Sequence, residues 1–378
     1  MRFKKNLEVL KAVVSGVDFK EYSGFGGLHK VMSQSDHESL KNTVGEDGYK
    51  QIMATSKTAY YTSPDIIKFM YKALAGFGFK GGKVLEPSCG HGSFIFNMPN
   101  DIRNNSAIHA VELDPISAKL TSAICPYAHV NNTGFEKYNE SEFDLIIGNP
   151  PYSNMIMYDK DPELNNQVIH HYFMAKSLKM LKEGGILAFV VPTYCLDNTR
   201  SHARDVLSKY GRLLASYRLP ENMFDNAKVT VDVVFIMKTQ NPAIGYDFLN
   251  VLDVECRGKK FPINEYYHHQ PKNVIGYFDT CRMYEGRIGL TVKNSKSKAE
   301  MFAALDIKIQ NLEKVIVTKS KDTQLLIKIQ NIKAKLQSRI QGESLQSKIA
   351  EIEYSKLKLI EQEYKSFELE ISNILKGF

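Results

Sequence analysis

The chain has 378 residues, 24% of them charged, and its formal net charge is +7. Five cysteines without paired metal-ligand spacing argue against a disulfide scaffold and favour a reducing cytoplasm. No apolar run approaches the ~18 residues of a membrane span. We therefore expect a soluble cytoplasmic protein of two or three units with no membrane partner, whose charge suits a polyanionic partner.

Composition and hydrophobic periodicity divide the chain into four parts. Residues 1–57 are polar, with one short amphipathic helix near Leu7–Val14. Residues 58–240 alternate apolar strand-like runs with helical patterns, which predicts an α/β domain of Rossmann-like type with a mainly parallel sheet. Residues 241–295 lack this alternation of strand and helix patterns, and residues 296–378 contain almost no glycine or proline.

The first chemical motif is a glycine turn within Lys83–Phe94, which reads as a buried strand, a turn and the start of a helix. Gly90 and Gly92 let the backbone bend tightly and approach a ligand where a Cβ atom would clash. The third glycine of the dinucleotide fingerprint is missing. The pattern predicts a small-molecule site at the end of this strand.

The next strand, Ile108–Glu112, ends in a carboxylate. An acidic residue at this place commonly binds the two hydroxyls of a ribose, so Glu112 is the candidate ribose ligand. Asp114 precedes Pro115 and is predicted to cap a helix.

The most informative motif is Asn149-Pro150-Pro151-Tyr152, directly after the apolar strand pattern Phe143–Gly148. The prolines fix the backbone and remove two N–H donors. The Asn149 side-chain oxygen and the Pro150 carbonyl can then accept both hydrogens of one planar NH2 group. The Tyr152 ring can stack on the planar base or amide that carries this group. This arrangement predicts methylation of a planar amino group, such as that of adenine. A proline-rich turn that merely caps a strand is the competing interpretation.

Residues 241–295 combine basic and aromatic side chains, which can bind phosphates and stack bases. This pattern predicts a DNA-contacting segment, with a solvated β-rich appendage as the alternative. The pair His268-His269 has no further ligand at suitable spacing, so no metal site is predicted. The candidate contacts are Arg257, Lys259, Lys260, Tyr266, Tyr267, Lys272, Tyr277, Arg282, Tyr284, Arg287 and Lys293.

Residues 296–378 have apolar residues spaced three and four apart, which is typical of long helices with coiled-coil-like packing. Gly342 is the predicted break between two helices. The first half is mainly basic and the second mainly acidic, which favours an antiparallel hairpin or pairing with another chain, either a second copy or a partner protein.

From about Thr62 to Lys238 these motifs resemble the S-adenosylmethionine-dependent N6-adenine DNA methyltransferases of the Asn-Pro-Pro-Tyr type, in the amino-domain-first order. The resemblance implies that Asn149, Pro150, Pro151 and Tyr152 form the catalytic loop, while Phe224 stacks on the other face of a flipped adenine. It also implies a set of residues that bind S-adenosylmethionine: Thr62, Glu86, Pro87, Ser88, Cys89, Gly90, Gly92, Phe94, Glu112, Leu113, Phe135 and Asn149.

One position departs from the family pattern. The family often has an acidic residue after the third strand, which binds the adenine amino group of the cofactor, and here Gly134 takes that place. Phe135 can pack beside the adenine, and Glu136 is the candidate substitute for the acid. A second resemblance, through Tyr22–Leu28, is to methylases of phages and mobile elements that accompany a helicase.

The expected activity is that of an adenine-specific DNA methyltransferase, in restriction-modification or another form of DNA methylation. Three alternatives stay open at this stage. The same loop serves enzymes that methylate an RNA base or a protein glutamine amide, because these also present a planar NH2. The third is a methylase-like binding subunit that acts through its helical tail.

Overall fold

A computed structural model describes residues 2–15, 32–55, 62–224, 228–241, 244–282 and 286–310, together with 312, 314, 354 and 355. The resemblance carried by Tyr22–Leu28 lies outside the described residues. So does nearly all of the predicted tail hairpin of residues 296–378, including the break at Gly342.

The strands in chain order are β1 Lys83–Glu86, β2 Ala107–Glu112, β3 Ala128–Asn132, β4 Phe143–Gly148, β5 Ile156–Met157, β6 Gln167–Val168, β7 Leu181–Pro192, β8 Gly211–Leu219, β9 Val231–Lys238, β10 Val251–Cys256, β11 Lys259–Asn264, β12 Tyr277–Arg282 and β13 Ile288–Lys293. The helices are α1 Arg2–Ser15, α2 Gln34–Thr55, α3 Pro64–Gly76, α4 Ser93–Phe96, α5 Asn100–Arg103, α6 Pro115–Ile124, α7 Ile169–Met180, α8 Tyr194–Asp197, α9 His202–Tyr210, α10 Glu265–His269 and α11 Lys298–Ile309. None of the described helices is long and apolar enough to cross a membrane.

Seven strands form one sheet in the order β3-β2-β1-β4-β7-β9-β8. Neighbouring strands from β3 to β7 run parallel, and β9 is antiparallel to both β7 and β8. This order confirms the Rossmann-like α/β fold predicted from the alternating apolar runs. Because β1, β2 and β4 are adjacent and parallel, their carboxyl ends lie side by side at one edge.

Each face of the sheet carries its own hydrophobic core, because side chains alternate between the faces of a strand. Leu145 and Ile147 of β4 pack into the core that contains α3, whereas Ile146 packs into the core that contains α7. Nearly every residue of β4, β7 and β9 is buried, as expected for strands covered on both sides.

The N-terminal segment is more helical than predicted. The expected helix near Leu7–Val14 extends over Arg2–Ser15, and α2 was not predicted. The sequence of α2 is polar and does not show a clear helical pattern. The helix is also kinked at Gly45, where φ is 77°. The two helices form a small core of their own that also includes Leu120 of α6.

Residues after β9 form two antiparallel strand pairs, β10–β11 and β12–β13, so this segment is β-rich. Tyr266 and Tyr267 are 2% and 1% exposed and pack in the core of the sheet. These two rings therefore cannot stack on bases, and the prediction that they contact DNA in this way is wrong. Tyr277 is 57% exposed, and its DNA contact stays a prediction.

The described start of the tail is helical, as predicted. A capping box formed by Ser297 and Glu300 begins α11. Met301 and Leu305 are buried in the core that contains α3, so this helix packs on the domain formed by the seven-stranded sheet.

Candidate active site

A cavity of about 630 Å³ opens at the carboxyl ends of β1, β2 and β4. Apart from Gly92 and Phe224, all residues predicted to bind the cofactor or to catalyse the reaction line it. The volume is within the range of sites for small molecules and cofactors. Three loops that are distant in the sequence thus meet at one place, as predicted.

The glycine turn has the backbone geometry that requires glycine. Gly90 and Gly92 have φ angles of 54° and 78°, in the left-handed region. A Cβ atom at Gly92 would also lie 2.9 Å from Cγ2 of Thr121, so this glycine lets the turn pack on α6. Gly92 therefore lies beneath the cavity and not in its wall. The Thr121 hydroxyl fixes the turn by donating to the Gly90 carbonyl at 2.8 Å.

Glu112 is held at the end of β2 by two backbone amides. One carboxylate oxygen accepts from the Gly90 N–H at 2.7 Å, and the other accepts from the Asp114 N–H at 2.8 Å. Burial raises the pKa of Glu112, while these amides oppose that effect. The carboxylate is thereby fixed in orientation and joins the glycine turn to β2.

The cavity is acidic. Glu86 is 2% exposed, and burial raises the pKa of its carboxyl well above the usual range, with a further contribution from Glu112. Asp114 and Glu136 also line the cavity, and none of the described lining residues is basic. Such a wall offers carboxyl oxygens to the hydroxyl and amino groups of a ligand, and without basic side chains among the described lining residues it disfavours a polyphosphate.

Three buried polar atoms of this wall have no hydrogen-bond partner among the described residues. They are the Thr62 hydroxyl, one oxygen of Glu86 and one oxygen of Asp114. Buried polar groups are normally satisfied, so these atoms are placed to bind a polar ligand. Sequence reasoning assigned Asp114 only as a helix cap. It is that cap, accepting from the Ser117 N–H at 2.9 Å, and it also lines the cavity.

The predicted catalytic loop, residues 149–152, is anchored at both ends. The Asn149 carbonyl accepts from the Ser88 hydroxyl at 3.3 Å, which ties the loop to the glycine turn. The Tyr152 hydroxyl donates to the Val190 carbonyl of β7 at 2.9 Å. Burial raises the pKa of Tyr152 well above its usual range, so the phenol remains a neutral donor. These contacts hold the Tyr152 ring at the wall of the cavity.

Phe224 lies outside the cavity wall. It is 8% exposed and belongs to the core cluster against which Tyr152 packs. Residues 225–227 are outside the described part of the chain. Stacking of Phe224 on a flipped base stays a prediction.

The structure places Glu136 where the sequence lacks the expected acid. A Cβ atom added to Gly134 would lie 2.2 Å and 2.4 Å from the two carboxylate oxygens of Glu136. The Glu136 carboxylate therefore occupies the space in which a side chain at position 134 would begin. Phe135, between them, is buried against Phe173, with ring centroids 4.7 Å apart. All three residues from 134 to 136 line the cavity.

Comparison with known families finds a match for part of the chain. Residues 99–224, which include the catalytic loop, match the Eco57I restriction-modification methylase family. This match and the relatives below confirm the resemblance to methyltransferases that the motifs predicted.

Three relatives illustrate the range of similar proteins. The defense against restriction protein B of Escherichia phage P1 is 26% identical to this chain, over 62% of this chain and 10% of its own length. The type II methyltransferase M.TthHB8I of Thermus thermophilus is 32% identical over 47% of this chain and 44% of its own length. A tRNA1(Val) (adenine(37)-N6)-methyltransferase of Haemophilus influenzae is 26% identical over 39% of this chain and 75% of its own length. The chain thus spans less than half the length of the first two relatives.

Proposed function

Because residues 99–224 match the Eco57I restriction-modification methylase family, we propose that this protein is a DNA adenine N6-methyltransferase that uses S-adenosylmethionine. One observation carries the proposal. The Asn149-Pro150 acceptor pair lines the same cavity as the fixed carboxylate of Glu112. A site for an amino group and a site for a ribose-containing ligand are thus adjacent.

S-adenosylmethionine, when bound, supplies an activated methyl group on a positively charged sulfur. The cavity fits it, because the wall is acidic and holds unpartnered polar atoms of Thr62, Glu86 and Asp114 among the described residues. The two Glu112 oxygens, already oriented by backbone amides, are suited to accept the ribose hydroxyls. The Thr62 hydroxyl and Glu86 are suited to the amino-acid end.

The protein's own contribution is positioning and polarisation. The target adenine leaves the base stack, at a cost of a few kcal/mol. The Asn149 side-chain oxygen and the Pro150 carbonyl accept the two N6 hydrogens, which directs the nitrogen lone pair towards the methyl group. With the cofactor bound, this nitrogen would receive the methyl group, and one of the two N6 protons held by these oxygens would pass to solvent. Alignment of reacting atoms and fixed dipoles provide the acceleration.

A second candidate is methylation of an RNA adenine, favoured by the similarity to the tRNA1(Val) methyltransferase. We expect labelled methyl from S-adenosylmethionine to appear as N6-methyladenine in unmethylated DNA, because the family match is to restriction-modification methylases. The measurement compares DNA, RNA and bulk protein as acceptors in parallel. Label mainly in RNA would support the second candidate, and label in glutamine would overturn both.

Replacement of Glu112 by alanine should weaken S-adenosylmethionine binding by about 10- to 100-fold. Hydrogen bonds to one charged group usually contribute this much to affinity. The variant loses both the ribose acceptor and the support of the Gly90 and Asp114 amides. Isothermal titration with S-adenosylhomocysteine measures the change. Asp253→Ala, which removes an exposed carboxylate of β10, is the matched control. An unchanged affinity in Glu112→Ala would remove Glu112 from the cofactor site.

The position of Glu136 leads to a swap experiment. Gly134 has φ −70° and ψ 145°, which any residue can adopt, and the Glu136 carboxylate fills the adjacent space. We expect Glu136→Ala to weaken S-adenosylhomocysteine binding by about tenfold, the loss of one good hydrogen bond. The double variant Gly134→Asp/Glu136→Ala should restore the affinity, because it puts a carboxylate back in the same place.

An inosine analogue of S-adenosylhomocysteine tests what Glu136 recognises. This analogue has a carbonyl in place of the adenine amino group, so a carboxylate acceptor should discriminate against it. The wild type and the double variant should therefore prefer the adenosine form, and Glu136→Ala should lose that preference. If Gly134→Asp/Glu136→Ala binds no better than Glu136→Ala, the assignment of Glu136 to the adenine amino group is wrong.

A further inference from the structure

Three potential metal ligands meet behind the catalytic loop, outside the cavity wall. His170 and His171 are in the first turn of α7, and Cys195 is in α8, just after β7. One ring nitrogen of each histidine and the Cys195 sulfur all lie within 4.8 Å of one another. The three residues are 1%, 8% and 0% exposed. None of them is used by the proposed methyl transfer.

Each histidine has one buried nitrogen with no hydrogen-bond partner among the described residues, namely Nδ1 of His170 and Nε2 of His171. The backbone of Ser153 hydrogen-bonds to His170, and that of Cys195 to His171. Metal-binding histidines commonly have this arrangement, in which a backbone group fixes the ring and leaves a lone pair free.

We propose that His170, His171 and Cys195 form a binding site for one Zn²⁺ ion. Imidazole nitrogen and thiolate sulfur are the ligands that zinc prefers, and they select against Mg²⁺ and Ca²⁺. Nitrogen and sulfur ligands of one tetrahedral zinc ion are about 3.6 Å apart. Because the ligand atoms all lie within 4.8 Å of one another, a nitrogen and the sulfur would need to approach by at most about 1.2 Å.

Binding replaces a proton by the metal. Cys195 is a free, buried cysteine. On binding, a sulfur–zinc bond forms and the thiol proton passes to solvent, while the two neutral imidazoles contribute lone pairs. No oxidation or reduction takes place.

The ion would stabilise the fold and would take no part in the transfer of the methyl group. It would link the start of α7 to α8, beside the backbone of Ser153, which directly follows the catalytic Tyr152. The site thus braces the outer side of the catalytic loop. This inference does not depend on the acceptor of the methyl group.

The test is a metal titration of the full chain after treatment with a chelator. We expect one Zn²⁺ per chain by elemental analysis and a rise in melting temperature on adding Zn²⁺. Co²⁺ in place of Zn²⁺ should give a thiolate-to-cobalt charge-transfer band in the near ultraviolet. Cys195→Ser should lose this band and bind Zn²⁺ at least 100-fold more weakly. Cys256→Ser, which alters another buried thiol, should behave as the wild type.

The site is disproved if the wild type binds no stoichiometric zinc, or if its cobalt complex lacks the charge-transfer band. It is also disproved if Cys195→Ser retains wild-type affinity. Circular dichroism first establishes that each variant is folded. Should Cys195→Ser fail to fold, His170→Gln replaces it, and the wild-type cobalt spectrum decides independently. Methyl transfer is not a readout, so a wrong assignment of the acceptor would leave these results unaffected.

Discussion

Asn149→Ala is expected to lower methyl transfer by about 10²- to 10³-fold, as does removal of one polarising group from other active sites. Binding of S-adenosylhomocysteine should change little. The Asn149 side chain is expected to contact the target amino group, whereas the fixed carboxylate of Glu112 is expected to bind the cofactor. Single-turnover rates with labelled cofactor and titration calorimetry measure the two quantities separately.

Asn154→Ala is the matched control for this variant. Asn154 is an exposed amide in the same loop and is not among the residues that line the cavity. It should retain the wild-type rate. Equal losses of rate and cofactor affinity in a folded Asn149→Ala protein would mean that Asn149 supports the loop and does not position the substrate.

Asp232→Ala should destabilise the fold by about 3–5 kcal/mol, because it leaves a buried guanidinium without its main partner. Arg218 and Asp232 are 1% and 0% exposed. Two nitrogens of Arg218 donate to the two oxygens of Asp232, each at 2.8 Å, and a third donates to Asp197 at 2.8 Å. Urea unfolding measures the loss of stability.

The same network connects the catalytic sheet to the β-rich segment that follows it. Asp197 also accepts from the Asn264 N–H at 2.8 Å, and the Tyr267 ring lies 4.2 Å from the Arg218 guanidinium. We therefore expect Asp232→Ala to expose β10 and β11 to protease before the rest of the chain. Lys41→Ala removes the exposed ion pair with Glu46 and should cost no more than about 1 kcal/mol. Similar losses in both variants would contradict a special role for the buried network.

The sequence alone determined the sheet and the three loops at its edge. The apolar runs that became β1, β2 and β4 are local patterns. Glu86 and Glu112 are the last residues of β1 and β2, and Asn149 directly follows β4. In a parallel sheet such residues must meet at one edge, so Glu86, Glu112 and Asn149 could be placed together without knowing any contact. The polar helix α2 was missed because it has only a weak apolar stripe.

Only the tertiary structure decided the features that depend on contacts between distant segments or on side-chain direction. The sequence does not reveal that Tyr266 and Tyr267 are buried, or that Arg218 is paired with Asp232. The convergence of His170 and Cys195 depends on where β7 places α8 relative to the start of α7. The direction of the Glu136 carboxylate, back over Gly134, depends on a turn whose dihedral angles the local sequence leaves open. Periodicity encodes which face of an element is buried, whereas these partners are selected by packing across the whole domain.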